Sequence, residues 1–92
     1  MAITVVEKDG VKLMSHGVYN VRQEFGKTKI YSETWEGDTF NTDLLETAVL
    51  CVLDNPGSIV GAINAFHSVC PNFPKHEARY YVKAAMIYKR FI

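Results

Sequence analysis

The fold is decided by residues 28–53, TKIYSETWEGDTFNTDLLETAVLCVL, because the spacing of the apolar side chains changes within this stretch. Up to Trp35 the pattern is typical of a half-buried strand, with a period of about two residues. After Gly37 the apolar residues recur three and four positions apart, which indicates an amphipathic helix. They are Leu44, Leu45, Ala48, Val49, Val52 and Leu53. Strands therefore precede helices, which predicts an α+β domain rather than alternating βαβ units.

Two β-hairpins are predicted before Gly37. The first joins residues 3–8 to residues 11–14 through Asp9-Gly10, the dipeptide that best suits the positive φ values of a tight turn. The second joins residues 17–25 to residues 28–35 through Gly26-Lys27, since glycine at the first central position fits a type II′ turn. Together they predict an antiparallel sheet of about four strands.

The turns also predict which residues face each other across the strands. In the first hairpin we expect Val6 opposite Leu13 and Glu7 opposite Lys12. In the second we expect Glu24 opposite Lys29, Arg22 opposite Tyr31 and Val18 opposite Trp35.

Two to three helices are expected to pack on this sheet. The first has its N-cap at Asn41 or Thr42 and runs to about Leu53. The second ends before Pro71, and the third covers residues 75–92. A chain of 92 residues is long enough to bury one core, so we expect a single domain over residues 1–92.

The formal net charge is zero, but the charges are segregated along the chain. Residues 1–31 carry an excess of two positive charges and residues 67–92 an excess of four. Residues 32–66 contain no Lys or Arg and carry six carboxylates: Glu33, Glu36, Asp38, Asp43, Glu46 and Asp54. Such blocks create local potentials that steer charged partners. The acidic block is interpreted as a solvated face, as a mimic of nucleic acid or as a partner for the basic helix.

The last helix gathers its five basic side chains on one side. At about 100° per residue, with Lys75 at zero, they lie between about −40° and about 80°. This helix row consists of Lys75, Arg79, Lys83, Lys89 and Arg90. The apolar residues lie between about 120° and about 280°: Tyr80, Tyr81, Ala84, Ala85, Ile87, Tyr88, Phe91 and Ile92. The row is either a solubilising face or a contact surface for an anionic partner.

The second hairpin carries another basic group, the hairpin row, which consists of Arg22, Lys27, Lys29 and Tyr31. It combines cations with an aromatic ring that can stack on a base. Both rows are predicted binding residues for nucleic acid or for an acidic protein groove. They do not predict sequence-specific reading, because no helix-turn-helix, ribonucleoprotein or zinc-finger signature is present.

No catalytic motif competes with these rows. His67 and Cys70 stand three apart, with His76 or Cys51 as hypothetical further ligands, but a structural zinc site needs four ligands with closed spacing. Cys51 lies mid-helix and Cys70 at a helix C-terminus, where a thiolate is not stabilised. No phosphate-binding glycine loop is present. We expect reduced, buried thiols, no enzyme activity, no metal and no cofactor.

Over its full length the chain resembles the small phage-encoded anti-CRISPR proteins that inhibit type I-F systems, from Met1-Ala2-Ile3-Thr4-Val5-Val6 through Gly37-Asp38-Thr39-Phe40-Asn41 to Lys89-Arg90-Phe91-Ile92. These inhibitors share little sequence with one another, so no functional residue is carried over. The resemblance implies a non-enzymatic inhibitor that binds the surveillance complex of Cas protein and guide RNA. It would bind the backbone and tail subunits beside the guide RNA and prevent hybridisation of target DNA.

We expect a cytoplasmic monomer without membrane contact, because the longest apolar stretch, residues 48–53, is too short to span a bilayer and the N-terminus lacks the unbroken apolar region of a signal peptide. Contact with the RNA phosphate backbone is part of this expectation. The alternative is a non-specific nucleic-acid-binding protein or a small phage regulator that uses the same cations on free nucleic acid. A steep salt dependence of binding to bare strands distinguishes the alternative.

Overall fold

The strands of the first half form a five-stranded antiparallel meander, one strand more than the sequence predicts. A computed structural model describes residues 3–92, so Met1 and Ala2 lie outside the described residues. The strands lie side by side in chain order: β1 (Thr4–Lys8), β2 (Val11–His16), β3 (Tyr19–Glu24), β4 (Lys27–Ser32) and β5 (Trp35–Asn41). Three helices follow, which confirms the α+β class.

The first helix begins at its predicted cap, since the N-cap is Asn41, one of the two candidates. The helices are α1 (Thr42–Asp54), α2 (Ile59–Val69) and α3 (Lys75–Tyr88), followed by a 3₁₀ turn over Lys89–Phe91. The Asn41 side-chain oxygen accepts a hydrogen bond from the Leu44 N–H at 3.1 Å, and the Ser58 hydroxyl oxygen accepts one from the Gly61 N–H at 3.0 Å. Each cap satisfies an N–H that the helix itself leaves without a partner. The third helix was predicted to reach Ile92, but its regular part ends at Tyr88.

The first hairpin has the predicted register, with Val6 opposite Leu13 and Glu7 opposite Lys12. The second does not. Its turn is Phe25-Gly26, where both residues have positive φ, 51° and 72°, as in a type I′ turn.

Two of the three predicted pairs of the second hairpin are therefore shifted by two residues, and the third does not form. Glu24 faces Lys27, Arg22 faces Lys29 and Tyr31 faces Asn20. Val18 lies in the turn between β2 and β3, while Trp35 pairs with Ser32. Because a shift of two preserves the alternation of side chains, Arg22, Glu24, Lys29 and Tyr31 still share one face of the sheet, as predicted.

Burial explains the observed register. It places Val21 opposite Ile30, and both side chains are completely buried. The predicted register would have placed Val21 opposite Ser32 and lost this apolar pair. Cross-strand contacts of this kind contribute about 0.2–1 kcal/mol each, enough to choose between two turns of similar propensity.

The additional strand β5 depends on Gly37. The residue has φ 82°, and a Cβ built on it would collide with the carbonyl oxygen of Ile30. Only glycine lets β5 approach β4 at this point, next to the register irregularity between Ile30 and Ser32. Because glycine and aspartate are poor strand formers, the dipeptide Gly37-Asp38 gave no indication of a strand in the sequence.

One face of the sheet and the inner faces of the helices form a single core. The sheet contributes Met14, Val21, Ile30 and Phe40, and the helices contribute chiefly Leu45, Val49, Ala62, Phe66, Ala78, Val82 and Ala85. The opposite face of the sheet is open to solvent and presents the side chains of Leu13, Arg22, Lys29 and Thr39. The domain is therefore a two-layer structure with one wet sheet face.

A hydrogen-bonded polar group joins the two layers. The Gln23 amide donates to the Thr28 hydroxyl at 3.1 Å and to the Tyr88 hydroxyl at 2.6 Å, and the Thr28 and Thr42 hydroxyls are 2.7 Å apart. Thr28 is completely buried, and within residues 3–92 no buried side-chain N or O atom lacks a partner. The network connects β3 and β4 to α1 and α3 without an unsatisfied group.

Candidate binding surfaces

An aromatic cluster fixes the rotation of α3 about its axis. The Tyr81 ring centre lies 5.1 Å from that of Phe40, 5.2 Å from Phe73 and 5.8 Å from Phe66. The Tyr81 hydroxyl accepts a hydrogen bond from the Asn41 N–H at 3.0 Å. Phe40 and Phe73 meet Tyr81 edge to face and Phe66 stacks on it, and aromatic pairs of both kinds add about 0.5–1.5 kcal/mol each beyond burial. The side of α3 that faces solvent is thus determined by packing.

The buried side of α3 differs from the predicted one. Ala78 and Val82 are completely buried, although neither belongs to the predicted apolar set. Tyr80, which was predicted to be buried, is 62% exposed. The buried sector is centred about 60° from its predicted position on the helix. The small Ala78 and the central Val82 meet α1 and α2, and Tyr80 is left beside the cations.

Three cations of the helix row lie in line on the solvent side of α3. Lys75, Arg79 and Lys83 are exposed and four residues apart, so they follow one another along one helix face. We call them the α3 stripe. Arg79 and Lys83 line a surface depression together with His76 and Tyr80. The sequence prediction of a row is confirmed for these three residues.

Lys89 and Arg90 lie next to other elements. The buried Phe91 packs edge-on against His16, with ring centres 5.9 Å apart, and draws the end of the chain toward β2. Lys89 lines a small cavity beside the connection between α1 and α2. The Arg90 guanidinium lies 5.9 Å from the ring centre of Tyr19. The prediction that Lys89 and Arg90 belong to one straight row with the other cations of the helix is wrong. At Lys89 the chain leaves the α-helix for a tighter 3₁₀ turn, which places the Phe91 ring in the core.

The hairpin row is brought together on the open face of the sheet. Arg22 on β3 faces Lys29 on β4, and the Lys29 ammonium lies 5.6 Å from the ring centre of Tyr31. The Arg22 guanidinium forms an ion pair with Glu24 at 2.8 Å. Lys27 and Lys29 are exposed. The four residues therefore share one face, although their predicted cross-strand pairs were wrong, and their role in binding stays a prediction.

The two rows lie on opposite sides of the domain. Thr28 and Ile30 alternate with Lys27 and Lys29 and point into the core, so the lysines point away from the helices. The α3 stripe lies on the outer side of the helix layer. A single flat ligand therefore cannot contact both rows at once.

Apart from Arg22, the cations of the two rows have no ion-pair partner among residues 3–92. In the part of the chain that the structure describes, Arg22–Glu24 is the one ion pair. All six carboxylates of the acidic block are exposed, and none of them pairs with a cation of the helix row. The interpretation of the acidic block as an internal partner of the basic helix is therefore wrong. Both signs of charge therefore face outward.

Two aromatic residues on these surfaces were missed by the sequence analysis. Tyr80 extends the α3 stripe, and Phe25 lies at the tip of the second hairpin beside Arg22, Lys27 and Lys29. Phe25 was counted as the last residue of a strand. The sequence gives no clear signal for it, because Phe-Gly is not among the Asn-Gly, Asp-Gly and Gly-Gly pairs that predict a type I′ turn.

The thiols are not arranged for nucleophilic chemistry. Cys51 is buried, Cys70 is half-buried, and both are free. Burial raises the pKa of the Cys51 thiol, and the nearby Asp54 carboxylate adds to the rise. A thiol with a raised pKa is a poor nucleophile at neutral pH. Across residues 3–92, no group of three or more His, Cys, Asp or Glu side chains is placed to hold a metal ion.

Comparison with protein-family models, with curated proteins and with solved structures found no match to this chain. Among the helices of residues 3–92, none combines the length and the apolar character that crossing a bilayer requires. The two basic surfaces are therefore the features of the molecule that bear on its function.

Proposed function

We propose that this protein is a non-enzymatic inhibitor that binds an RNA-guided CRISPR surveillance complex. It acts as a monomer in the cytoplasm of the bacterial host. It contacts Cas protein and the phosphates of the guide RNA, and it blocks hybridisation of target DNA.

The observation that carries this proposal is the α3 stripe. Like charges four residues apart destabilise a helix by about 0.2–0.5 kcal/mol per pair, and the stripe contains two such pairs. Lys75 is also the first residue of α3, where the helix dipole disfavours a cation. Exposed cations that oppose helix stability are better explained by an anionic partner than by the needs of the fold.

The opposite placement of the two rows supports an assembly as the partner. A surveillance complex holds its guide RNA in a positively charged channel. A small domain that enters this channel meets RNA phosphate and cationic protein at the same time. The α3 stripe and the hairpin row suit the phosphates, while the exposed carboxylates of residues 33–54 suit the channel wall.

The test is a titration of purified surveillance complex with the protein, followed by binding of labelled target DNA. We expect DNA binding to fall in proportion to added protein and to end at a fixed molar ratio, with the guide RNA still bound. Unchanged DNA binding in the presence of excess protein contradicts the proposal.

A second function is favoured by one observation, the exposed Phe25 ring among cations of the open sheet face. It is non-specific binding of free nucleic acid, as in a small phage regulator. Such binding weakens linearly on a logarithmic salt scale, with a slope of about −0.7 per phosphate contact for single strands. A specific inhibitor instead binds the assembled complex tightly and bare strands weakly, so the two affinities measured in parallel distinguish these functions.

A further inference from the structure

Phe25 is the most exposed large apolar side chain in residues 3–92, with 92% of its surface open to solvent. Its backbone has φ 51°, in the left-handed region that bulky residues rarely adopt. The ring contributes nothing to the core, and the backbone conformation costs free energy. Strain of this kind at a surface position points to a function outside the fold.

The first hairpin provides an internal comparison. At the equivalent turn position it carries Asp9, with φ 55°, followed by Gly10. Aspartate and asparagine tolerate this conformation because their short polar side chains bond to the local backbone. The same turn at Phe25-Gly26 lacks that compensation. An Asn or Asp would serve the fold better there, so the aromatic ring is not explained by the turn.

The surroundings of Phe25 indicate what the ring meets. It lines a surface depression of about 290 Å³ with Arg22, Glu24, Lys27, Lys29 and Thr39. A protein partner would be expected to bury a contiguous apolar patch. One aromatic ring beside the exposed cations Lys27 and Lys29 is instead the arrangement that binds single-stranded nucleic acid, where bases stack on rings and phosphates meet Lys or Arg.

The open face continues the same pattern along β4. Lys27, Lys29 and Tyr31 alternate with buried residues and so lie in one line on the open face. Tyr31 provides a second ring two residues beyond Lys29. A strand of nucleic acid that begins at the hairpin tip would therefore find an aromatic ring at each end of this line and two cations between them.

We propose that this open sheet face binds single-stranded RNA, with one base stacked on Phe25 and the phosphates on Lys27 and Lys29. The inference rests on the proposed function in that the guide RNA is the strand available to the inhibitor. The binding itself is a property of the free protein and is measured without the surveillance complex.

The experiment is fluorescence anisotropy with labelled oligoadenylate, on the wild-type protein and on the variants Phe25→Asn and Val18→Asn. We expect Phe25→Asn to weaken binding about ten-fold, the loss typical of one stacked base. Its Tm should stay equal or rise, because asparagine relieves the backbone strain. Val18 is an exposed apolar residue, 71% open, in the turn at the opposite end of the sheet, so Val18→Asn should leave binding unchanged.

Unaltered oligoadenylate binding by Phe25→Asn would overturn the inference, as would a fall in its Tm, which would show that the ring serves the fold. Weaker binding to the surveillance complex with normal oligoadenylate binding would assign the face to a protein partner and also overturn it. Oligoadenylate binding through Phe25 without any block of target DNA would support this inference and refute the proposed function. A protein that blocks target DNA binding but does not bind oligoadenylate would support the proposed function and refute this inference.

Discussion

The substitution Arg79→Glu should make the protein more stable and at the same time a poorer binder. Arg79 lies between Lys75 and Lys83 on the exposed side of α3, four residues from each, and has no ion-pair partner in residues 3–92. Two repulsive pairs become two attractive ones, and each change of sign is worth about 0.4–1 kcal/mol. The expected gain in the free energy of unfolding is about 1 kcal/mol for the two pairs together. It lies near the lower end of the range because Lys75 precedes the new Glu, which is the less favourable order for an ion pair on a helix.

The gain in stability is large enough to measure. For a domain of this size, 1 kcal/mol shifts the Tm by about 4–8 °C. Thermal unfolding followed by circular dichroism therefore tests the folding half of the prediction. No buried group is disturbed, so the slope of a urea denaturation curve should match that of the wild-type protein.

The loss of binding should be larger than the gain in stability. If Arg79 meets a phosphate or a carboxylate in a desolvated contact, reversal of its charge costs about 2–5 kcal/mol, which corresponds to about 30-fold or more in affinity for the surveillance complex. The matched control is Lys8→Glu, the same charge change at an exposed cation of β1 outside both rows. The reasoning is refuted if Arg79→Glu binds like the wild-type protein, or if it loses stability.

Three further substitutions test other parts of the structure. Gly37→Ala should destabilise the protein by more than about 1 kcal/mol, measured by urea denaturation, because a Cβ collides with the Ile30 carbonyl and the φ of 82° is strained for alanine. Tyr88→Phe should cost about 1–3 kcal/mol in the same assay, because it leaves the Gln23 amide short of a partner. Burial raises the pKa of Tyr88 above the usual 10.0, so the folded state disfavours the ionised form of this side chain. Wild-type stability should therefore fall as the pH rises above 10.0, and Tyr88→Phe should show less of this loss. Reversing Lys83 and Arg90 to Glu together should abolish inhibition without unfolding the protein, with most of the effect from Lys83→Glu in titrations of target DNA binding.

Each of these substitutions can fail in a defined way. A Gly37→Ala protein as stable as the wild type would mean that β5 does not approach β4 as closely as described. If Tyr88→Phe and the wild-type protein lose stability equally at alkaline pH, the loss is caused by a titratable group other than Tyr88. Normal inhibition by the Lys83 and Arg90 double variant would remove the helix row from the interface.

Local signals were sufficient for much of the fold. The period of the apolar residues after Gly37, the N-cap at Asn41 and the Asp9-Gly10 turn each depend on neighbours within a few residues in sequence, and each was predicted correctly. Such features are set by local backbone chemistry, which a sequence displays directly.

The errors came from interactions between distant residues. The register of the second hairpin depends on the buried pair of Val21 and Ile30, and β5 depends on the fit of Gly37 against the backbone of β4. Neither can be inferred from turn propensity alone. In the same way, Tyr80 was assigned to the core by its apolar character, whereas the contacts of α3 with α1 and α2 place Ala78 there instead.

The placement of the predicted binding residues follows from the sequence where a helical repeat determines it, and not at the hairpin tip; their role in binding stays a prediction. Lys75, Arg79 and Lys83 follow from the spacing of the sequence. Phe25 does not, because a bulky residue with positive φ contradicts the local preferences on which the prediction depends. Such contradictions are expected at sites shaped by function.

The most direct measurement is photocrosslinking from the α3 stripe to the surveillance complex. Tyr80 is 62% exposed beside Arg79 and Lys83, so a photoreactive phenylalanine at this position reports on the neighbours of the stripe. The proposed binding mode predicts crosslinks to the guide RNA or to the Cas subunit that holds it, and none from the same probe at Val5 on β1. Crosslinks from Val5 alone, or from neither position, would contradict the claim that the α3 stripe meets the complex.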